Sequence, residues 1–133
     1  MIIVDTSAWI ELFRGTRSPA HLRLRRLVEN KAPLVTTEIV WFELLAGVRT
    51  ADDGQLIEKR LTPFPVLPLA GIPDYQRAAD LYRLARARGV TVRSLMDCLV
   101  AVLAIKADAS LLHADRDFDH LARVTDLRIE PVA

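Results

Sequence analysis

The amino-acid sequence predicts an α/β fold in which a central, mostly parallel sheet is covered by helices on both faces. Three observations predict it. The strand candidates are short, continuous apolar runs rather than alternating ones, as strands buried on both faces require. They alternate along the chain with amphipathic or wholly apolar helical segments. No repeat, low-complexity tract or flexible linker interrupts the alternation.

The first strand is the apolar run Ile2 to Val4, and Asp5-Thr6-Ser7 is a helix-start signal. A helix carrying Trp9, Ile10, Leu12 and Phe13 then runs to Gly15. Ser18-Pro19 opens a second helix, because proline is tolerated in the first turn where its missing N–H costs nothing. Leu22, Leu24, Leu27 and Val28 give it an apolar side. Leu34-Val35-Thr36 is the second strand, followed from Thr37 by a helix with Ile39, Val40, Phe42, Leu44 and Leu45 and with Gly47 near its end. A weaker amphipathic helix spans Asp52 to Leu61. Thr62 to Pro73 holds four of the seven prolines and encloses a strand candidate at Val66-Leu67. Asp74 to Arg88 is a long helix closed by Gly89, with Tyr75, Ala78, Leu81, Tyr82 and Ala85 expected on its inner side. Ser94 begins the next helix, Leu95 to Ala107, which is apolar nearly all round and so expected at the centre. Ser110 to His113 is a strand, Phe118 to Arg123 a short helix and Leu127 to Ile129 a last strand.

Composition bounds the function classes. A chain of 133 residues is about the size of one domain, and neither half has enough apolar residues to stand alone, so residues 1–133 are expected to form one domain. At this size roughly two-thirds of the unfolded surface is buried without help from a disulfide or structural zinc. The content of 51% hydrophobic and 26% charged residues excludes intrinsic disorder. Cys98 is the only cysteine, which excludes an internal disulfide and a thiolate zinc finger. The start Met1-Ile2-Ile3-Val4-Asp5 has no basic leader, and the longest apolar stretch, Cys98 to Ile105, falls far short of the roughly 18 residues of a membrane span. A cytoplasmic protein with no membrane association is expected. The net charge is +1, yet 15 of the 18 basic residues are arginine. Clusters at Arg23, Arg25 and Arg26 and at Arg83, Arg86 and Arg88 suit phosphate, and suit a solvated helix face equally well.

The acids are more informative. Asp5 stands at the carboxyl end of the first strand and Asp115 just past the fourth, the rim where open α/β sheets gather ligands. Glu43 in Val40-Trp41-Phe42-Glu43-Leu44-Leu45 and Asp97 in Leu95-Met96-Asp97-Cys98-Leu99-Val100 are acids embedded in apolar sequence. Burying a charge costs several kcal/mol unless it is paired or bound to a metal. Simpler readings exist for each. Asp5 and Asp115 can cap the helices that follow them, and Asp97 lies three residues after Ser94, the spacing of a capping box. Glu43, about two turns into its helix, can face solvent or pair with Arg49. As a set, carboxylates converging on one rim repel each other unless a cation sits among them. His21, His113 and His120 lack the spacing of a zinc helix, so an all-oxygen site favours Mg²⁺ or Mn²⁺. Such ions serve phosphodiester hydrolysis.

These residues carry a resemblance. Ile3-Val4-Asp5-Thr6-Ser7-Ala8, Glu43 within Trp41-Phe42-Glu43-Leu44-Leu45-Ala46-Gly47, Asp97 at the start of an Ala/Leu/Val-rich helix, and Asp115-Arg116-Asp117-Phe118 after a short strand occur in the order of the PIN-domain ribonucleases. The chain resembles, over essentially its whole length, a VapC-type toxin of a bacterial toxin–antitoxin pair. The resemblance implies a PIN-like three-layer α/β/α fold and an acidic site made of Asp5, Glu43, Asp97 and Asp115, with Asp117 as a further acid. Of these, Asp5, Asp97, Asp115 and Asp117 would be metal ligands, and Glu43 would ligate through water or act as general base. It further implies Mg²⁺ or Mn²⁺ dependence and endonucleolytic cutting of structured RNA, often transfer or ribosomal RNA. Its partners would be a second copy of the chain and a cognate antitoxin whose tail lies across the groove. One departure is visible. Where many relatives have Thr-Asn or Ser-Asn before the fourth acid, this chain has His113-Ala114.

Thr6 and Ser7 can orient a carboxylate, touch phosphate or cap a helix. Trp9, Phe13, Trp41 and Phe42 read first as core or interface residues and second as stacking platforms for bases. Cys98 reads as a small core residue. Arg14, Arg17, Arg23 and Arg26 are candidate contacts to RNA phosphate. Aspartyl-phosphate enzymes fit poorly: a haloacid-dehalogenase-like site wants an acid where Ser7 stands. A receiver-like site wants an acidic neighbour for Asp5 and a lysine at a strand end, whereas Lys106 lies in a helix. A non-catalytic RNA- or partner-binding module on the same fold remains the alternative, and the loss of an acid would be its signature.

Overall fold

The computed structural model describes residues 1–132, and among these a parallel sheet of five strands is flanked by seven helices. The order along the chain is β1 (Ile2–Val4), α1 (Thr6–Arg14), α2 (Pro19–Glu29), β2 (Leu34–Thr37), α3 (Glu38–Gly47), α4 (Ala51–Leu61), β3 (Val66–Leu67), α5 (Ile72–Ala87), α6 (Leu95–Lys106), β4 (Ser110–Leu112), α7 (Arg116–Val124) and β5 (Arg128–Ile129). The strand order is β3-β2-β1-β4-β5, and every neighbouring pair is parallel. Ile3 is in register with Val35 on one side and with Leu111 on the other, which puts β1 at the centre.

Successive strand residues point to opposite faces, and the core divides accordingly. Ile3, Val35 and Leu111 join α5, α6 and α7 in one buried cluster built around Leu99, Val102, Leu103, Phe118 and Leu121. Val4, Leu34 and Leu112 point the other way and pack with Trp9, Leu24, Val40, Leu44 and Leu61 from α1 to α4. That is the three-layer α/β/α arrangement expected. As its all-round apolar sequence requires, α6 has every residue from Asp97 to Ala104 buried. Gly15 closes α1 at φ 61°, a left-handed conformation that glycine adopts without strain, and its N–H reaches the Glu11 and Leu12 carbonyls. No helix among the described residues is long and apolar enough to cross a membrane.

Differences from the expected elements have local causes. Helix α5 begins at Ile72 rather than Asp74, because Pro73 fits its first turn and Gly71 supplies the cap at φ 78°. Its buried stripe is Asp74, Ala78, Leu81 and Ala85, so Tyr75, expected inside, is 51% exposed. The stripe is set by Asp74, whose carboxylate lies 2.8 and 3.0 Å from Lys106 Nζ at the end of α6 and also accepts the Ala70 N–H at 2.6 Å. Helix α7 begins at Arg116 rather than Phe118, directly after its cap Asp115.

The Asp74–Lys106 pair fastens the start of α5 to the end of α6. The Lys106 ammonium, then the Ala70 N–H, hold the Asp74 carboxyl below the usual carboxylate range against the opposing effect of burial. Asp74→Ala is expected to lower stability by about 2 kcal/mol in urea unfolding, a modest value because solvent reaches the 37%-exposed Lys106. A depressed carboxyl pKa stabilises the fold above the unfolded-state value near 4 and stops doing so as pH falls through the folded value. The difference between wild type and variant should therefore be full at neutral pH and shrink below pH 4.

Candidate active site

The strand order reverses direction between β1 and β4: from β1 the chain adds β2 and β3 on one side, then β4 and β5 on the other. Ligands of open parallel sheets bind outside the carboxyl ends of the strands at such a switch point. Asp5 follows β1 there, and its backbone N–H donates to the Leu112 carbonyl at 2.9 Å, which ties the ends of β1 and β4 together. A cleft of about 350 Å³ opens at this place, lined by Asp5, Thr6, Ser7, Ile10, Glu43, Arg93, Ser94, Asp97, Asp115 and Asp117. All five acids singled out in the sequence line one cleft.

Two of the acids are helix caps as well. Asp5 Oδ2 accepts the Ser7 N–H at 2.9 Å and the Ser7 hydroxyl at 2.6 Å. Asp115 Oδ1 accepts the Asp117 N–H at 3.0 Å and caps α7. Capping and membership of the site are thus compatible, because the cap bond fixes one face of each carboxylate while the cleft receives the rest. The Ser7 hydroxyl also accepts the Ala114 N–H at 2.9 Å, so one side chain joins the Asp5 turn to the loop carrying Asp115. Glu43 neither faces open solvent nor pairs with Arg49: the Thr6 hydroxyl donates to its Oε1 at 2.7 Å. Thr6 and Ser7 each orient a carboxylate.

Asp97 does not form the expected capping box. Ser94 is the N-cap of α6 but makes no side-chain cap bond, and Asp97 bonds the Ser94 carbonyl through its backbone N–H alone. Its carboxylate is left for the cleft. Burial, then the charges of Asp5, Asp115, Glu43 and Asp117, push its pKa up to about 7. Burial likewise raises Asp5, with Glu43 adding to it, while the Ser7 hydrogen bonds and His113 pull the other way. One oxygen each from Asp97, Asp115 and Asp117 lie within 4.8 Å of one another. This is a hard, all-oxygen donor set with excess negative charge, which fits Mg²⁺ or Mn²⁺ and not a soft metal. Asp5 and Glu43 line the same cleft outside that tight trio.

The contacts that Arg93 and His113 make with the acids were not visible in the sequence. Arg93, in the loop before α6, donates from Nη2 to Asp115 Oδ1 and from Nε to Asp117 Oδ2, both at 3.0 Å, and from its backbone N–H to Asp117 at 3.2 Å. Burial raises the Asp117 carboxyl, but these bonds and the Arg93 charge outweigh it and hold it below the usual range. His113 accepts the Asp115 N–H on Nδ1 at 3.0 Å, which leaves Nε2–H to donate to Asp119 at 3.0 Å. The imidazole therefore braces the loop that leads into Asp115. Arg23, a candidate phosphate contact, is instead engaged with Glu130 at 2.7 Å. Burial, then the Asp97 charge, push the Cys98 thiol up to about 11, so it is an inert core residue despite its position beside Asp97. Trp9 is buried and stacks on Phe13, whereas Phe42 is exposed.

The sequence profile of the family described as PIN domain matches residues 2–124. This chain belongs to the PIN domain family. It is 42% identical over 129 residues to Ribonuclease VapC11 of Mycobacterium tuberculosis, with 96% of each chain covered. Among solved structures, this PIN domain is similar to VapBC2 from Rickettsia felis bound to a DNA fragment from its promoter, with a TM-score of 0.74, 18% identity and 98% of both chains covered. It is also similar to VapC20 of Mycobacterium tuberculosis, described as a sarcin-ricin loop cleaving toxin, with a TM-score of 0.64, 21% identity and 96% and 99% coverage. At these identities the structures establish the fold, and the α/β/α PIN fold is the one observed.

Proposed function

We propose that this PIN domain, residues 1–133 acting as one unit, is a VapC-type toxin: a Mg²⁺- or Mn²⁺-dependent endoribonuclease that hydrolyses a phosphodiester of transfer or ribosomal RNA and is neutralised by a cognate antitoxin. The observation that carries the reading is the carboxylate trio at the switch point of a chain 42% identical to a named VapC ribonuclease. Asp97, Asp115 and Asp117 would hold the ion, with Asp5 completing its surroundings. When bound, it supplies Lewis-acid stabilisation of charge on the phosphoryl oxygens and makes water a stronger acid. Glu43, held by Thr6, is the carboxylate left to accept a proton from attacking water. Ser7 keeps Asp5 and the β4–α7 loop in register, and His113 keeps Asp115 aimed. The toxin would act in the cytoplasm as a homodimer, and in a hetero-oligomer with its antitoxin when inactive.

The test is induction of the wild-type chain and of Asp5→Asn, with growth and new RNA 5′ ends as readouts. Asparagine still caps α1, so the variant should fold. Arrest and discrete new ends are expected with wild type alone. No arrest and no new ends with either folded protein would favour a binding module on the PIN fold, whereas equal cleavage by both would remove Asp5 from the machinery.

A further inference from the structure

Beside the acidic cleft lies a second cavity, of about 400 Å³, and the Arg93 and Asp117 side chains line both. The second cavity is basic. Arg116, His120 and Arg123 come from one face of α7 at i, i+4 and i+7, a span of about 10 Å along the helix. Among the described residues, neither Arg116 nor Arg123 takes part in an ion pair. The one acid in the wall, Asp117, already receives two N–H donors from Arg93 and lies 4.0 Å from His120 Nδ1. The cavity therefore offers two guanidinium groups outside any ion pair, against one acid whose Oδ2 is already taken by Arg93.

A cleft lined by five acids repels a polyanion, so a ribonuclease built on it needs attraction from elsewhere on the same path. Arginine forks match phosphate oxygens in pairs, and contacts to backbone phosphates fix the register of a strand without reading its bases. We propose that this cavity is a phosphate subsite, in which Arg116 and Arg123 bind a phosphodiester flanking the one presented to Asp97, Asp115 and Asp117. The proposal rests on the ribonuclease reading above and specifies how that site engages its substrate. A strand crossing the shared Arg93–Asp117 wall passes directly from the basic cavity to the acidic cleft.

The test measures binding of a labelled single-stranded RNA across a salt series, in an Asp97→Asn background that leaves the RNA intact. Each phosphate contact to a single strand contributes about 0.7 to the slope of log K against log salt. Arg116→Gln combined with Arg123→Gln should weaken binding and lower that slope by about 1.4. Lysine at both positions should restore it, and Arg25→Gln on α2 should leave it unchanged. RNA bound with an unaltered slope in the double variant overturns the subsite and leaves the ribonuclease reading standing. If the double variant keeps its RNA slope but loses binding to inorganic phosphate or to polyglutamate, the cavity belongs to a free anion or to an acidic protein segment, and the subsite is again overturned. No RNA binding by the Asp97→Asn parent, with no cleavage by wild type, removes both readings together.

Discussion

Asp97→Asn is expected to abolish RNA cleavage and, in the metal-free protein, to make the fold more stable at neutral pH. The two effects share a cause. Asp97 is 8% exposed, stands among four other acids, and has its pKa pushed up to about 7 by burial first and by their charges second. A raised carboxyl pKa means that the folded state holds its proton more tightly than the unfolded state, so ionisation costs stability as pH rises from about 4 to 7. The cost is complete above about pH 7 and amounts to a few kcal/mol. Asparagine keeps the shape and carries no charge. The variant should therefore unfold at higher urea than wild type at pH 8, with the gap closing as pH falls towards 4.

Divalent metal should reverse that order. Mg²⁺ raises the stability of any fold that binds it in preference to the unfolded chain, and Asp97 is the acid in the trio whose ionised form is most disfavoured without it. Wild type should gain from Mg²⁺ at pH 8 and gain less at pH 5, where a proton competes for Asp97. The asparagine variant should gain little at either pH. Loss of a ligand worth several kcal/mol to the transition state corresponds to roughly a thousandfold or more in rate. Cleavage at near wild-type rate by Asp97→Asn would remove Asp97 from the machinery. Equal metal-free stabilities at pH 8 would mean that the charge is dissipated in some other way.

The acids of the cleft were legible because each breaks a local pattern. Taken singly, an aspartate ending an apolar strand or following Ser94 reads equally as a helix cap, but parallel strands place such residues on one rim, and as a set they repel unless a cation sits among them. The order of the strands was not legible, since β3 and β5 are two residues each and any of several arrangements would bury them. The partners of the acids were hidden for a different reason. Arg93 is one of 15 arginines and follows no periodic segment, so its bonds to Asp115 and Asp117, more than 20 residues on, depend on how the α5–α6 loop folds back. Asp74 looks like an ordinary acid in a helix's first turn, and Lys106 like an ordinary base in a last turn. Only the antiparallel packing of α5 on α6 brings them within 2.8 Å. Pairings across elements are properties of tertiary structure, and one sequence does not print them.

The core side chain with the strongest hold on the site is Phe118, and Phe118→Ala is expected to cost about 4 kcal/mol. Phe118 is fully buried, sits in the cluster formed with α5 and α6, and has its ring centroid 5.3 Å from that of His113. Against the 5–15 kcal/mol of total stability usual for such domains, that loss approaches unfolding. The position explains a second effect. Asp117 and Asp119 flank Phe118, Asp115 caps the same helix, and His113 supports the Asp115 N–H while resting on the Phe118 ring. A cavity there frees the first turn of α7 and with it two of the three trio carboxylates. Phe118→Leu fills most of the space and should cost about 1 kcal/mol, which keeps a folded protein for comparison. Urea unfolding with and without Mg²⁺ separates the two effects: the leucine variant should stay folded yet show a smaller metal-dependent gain than wild type. A full gain in that variant would mean that the trio is held from the Arg93 side alone.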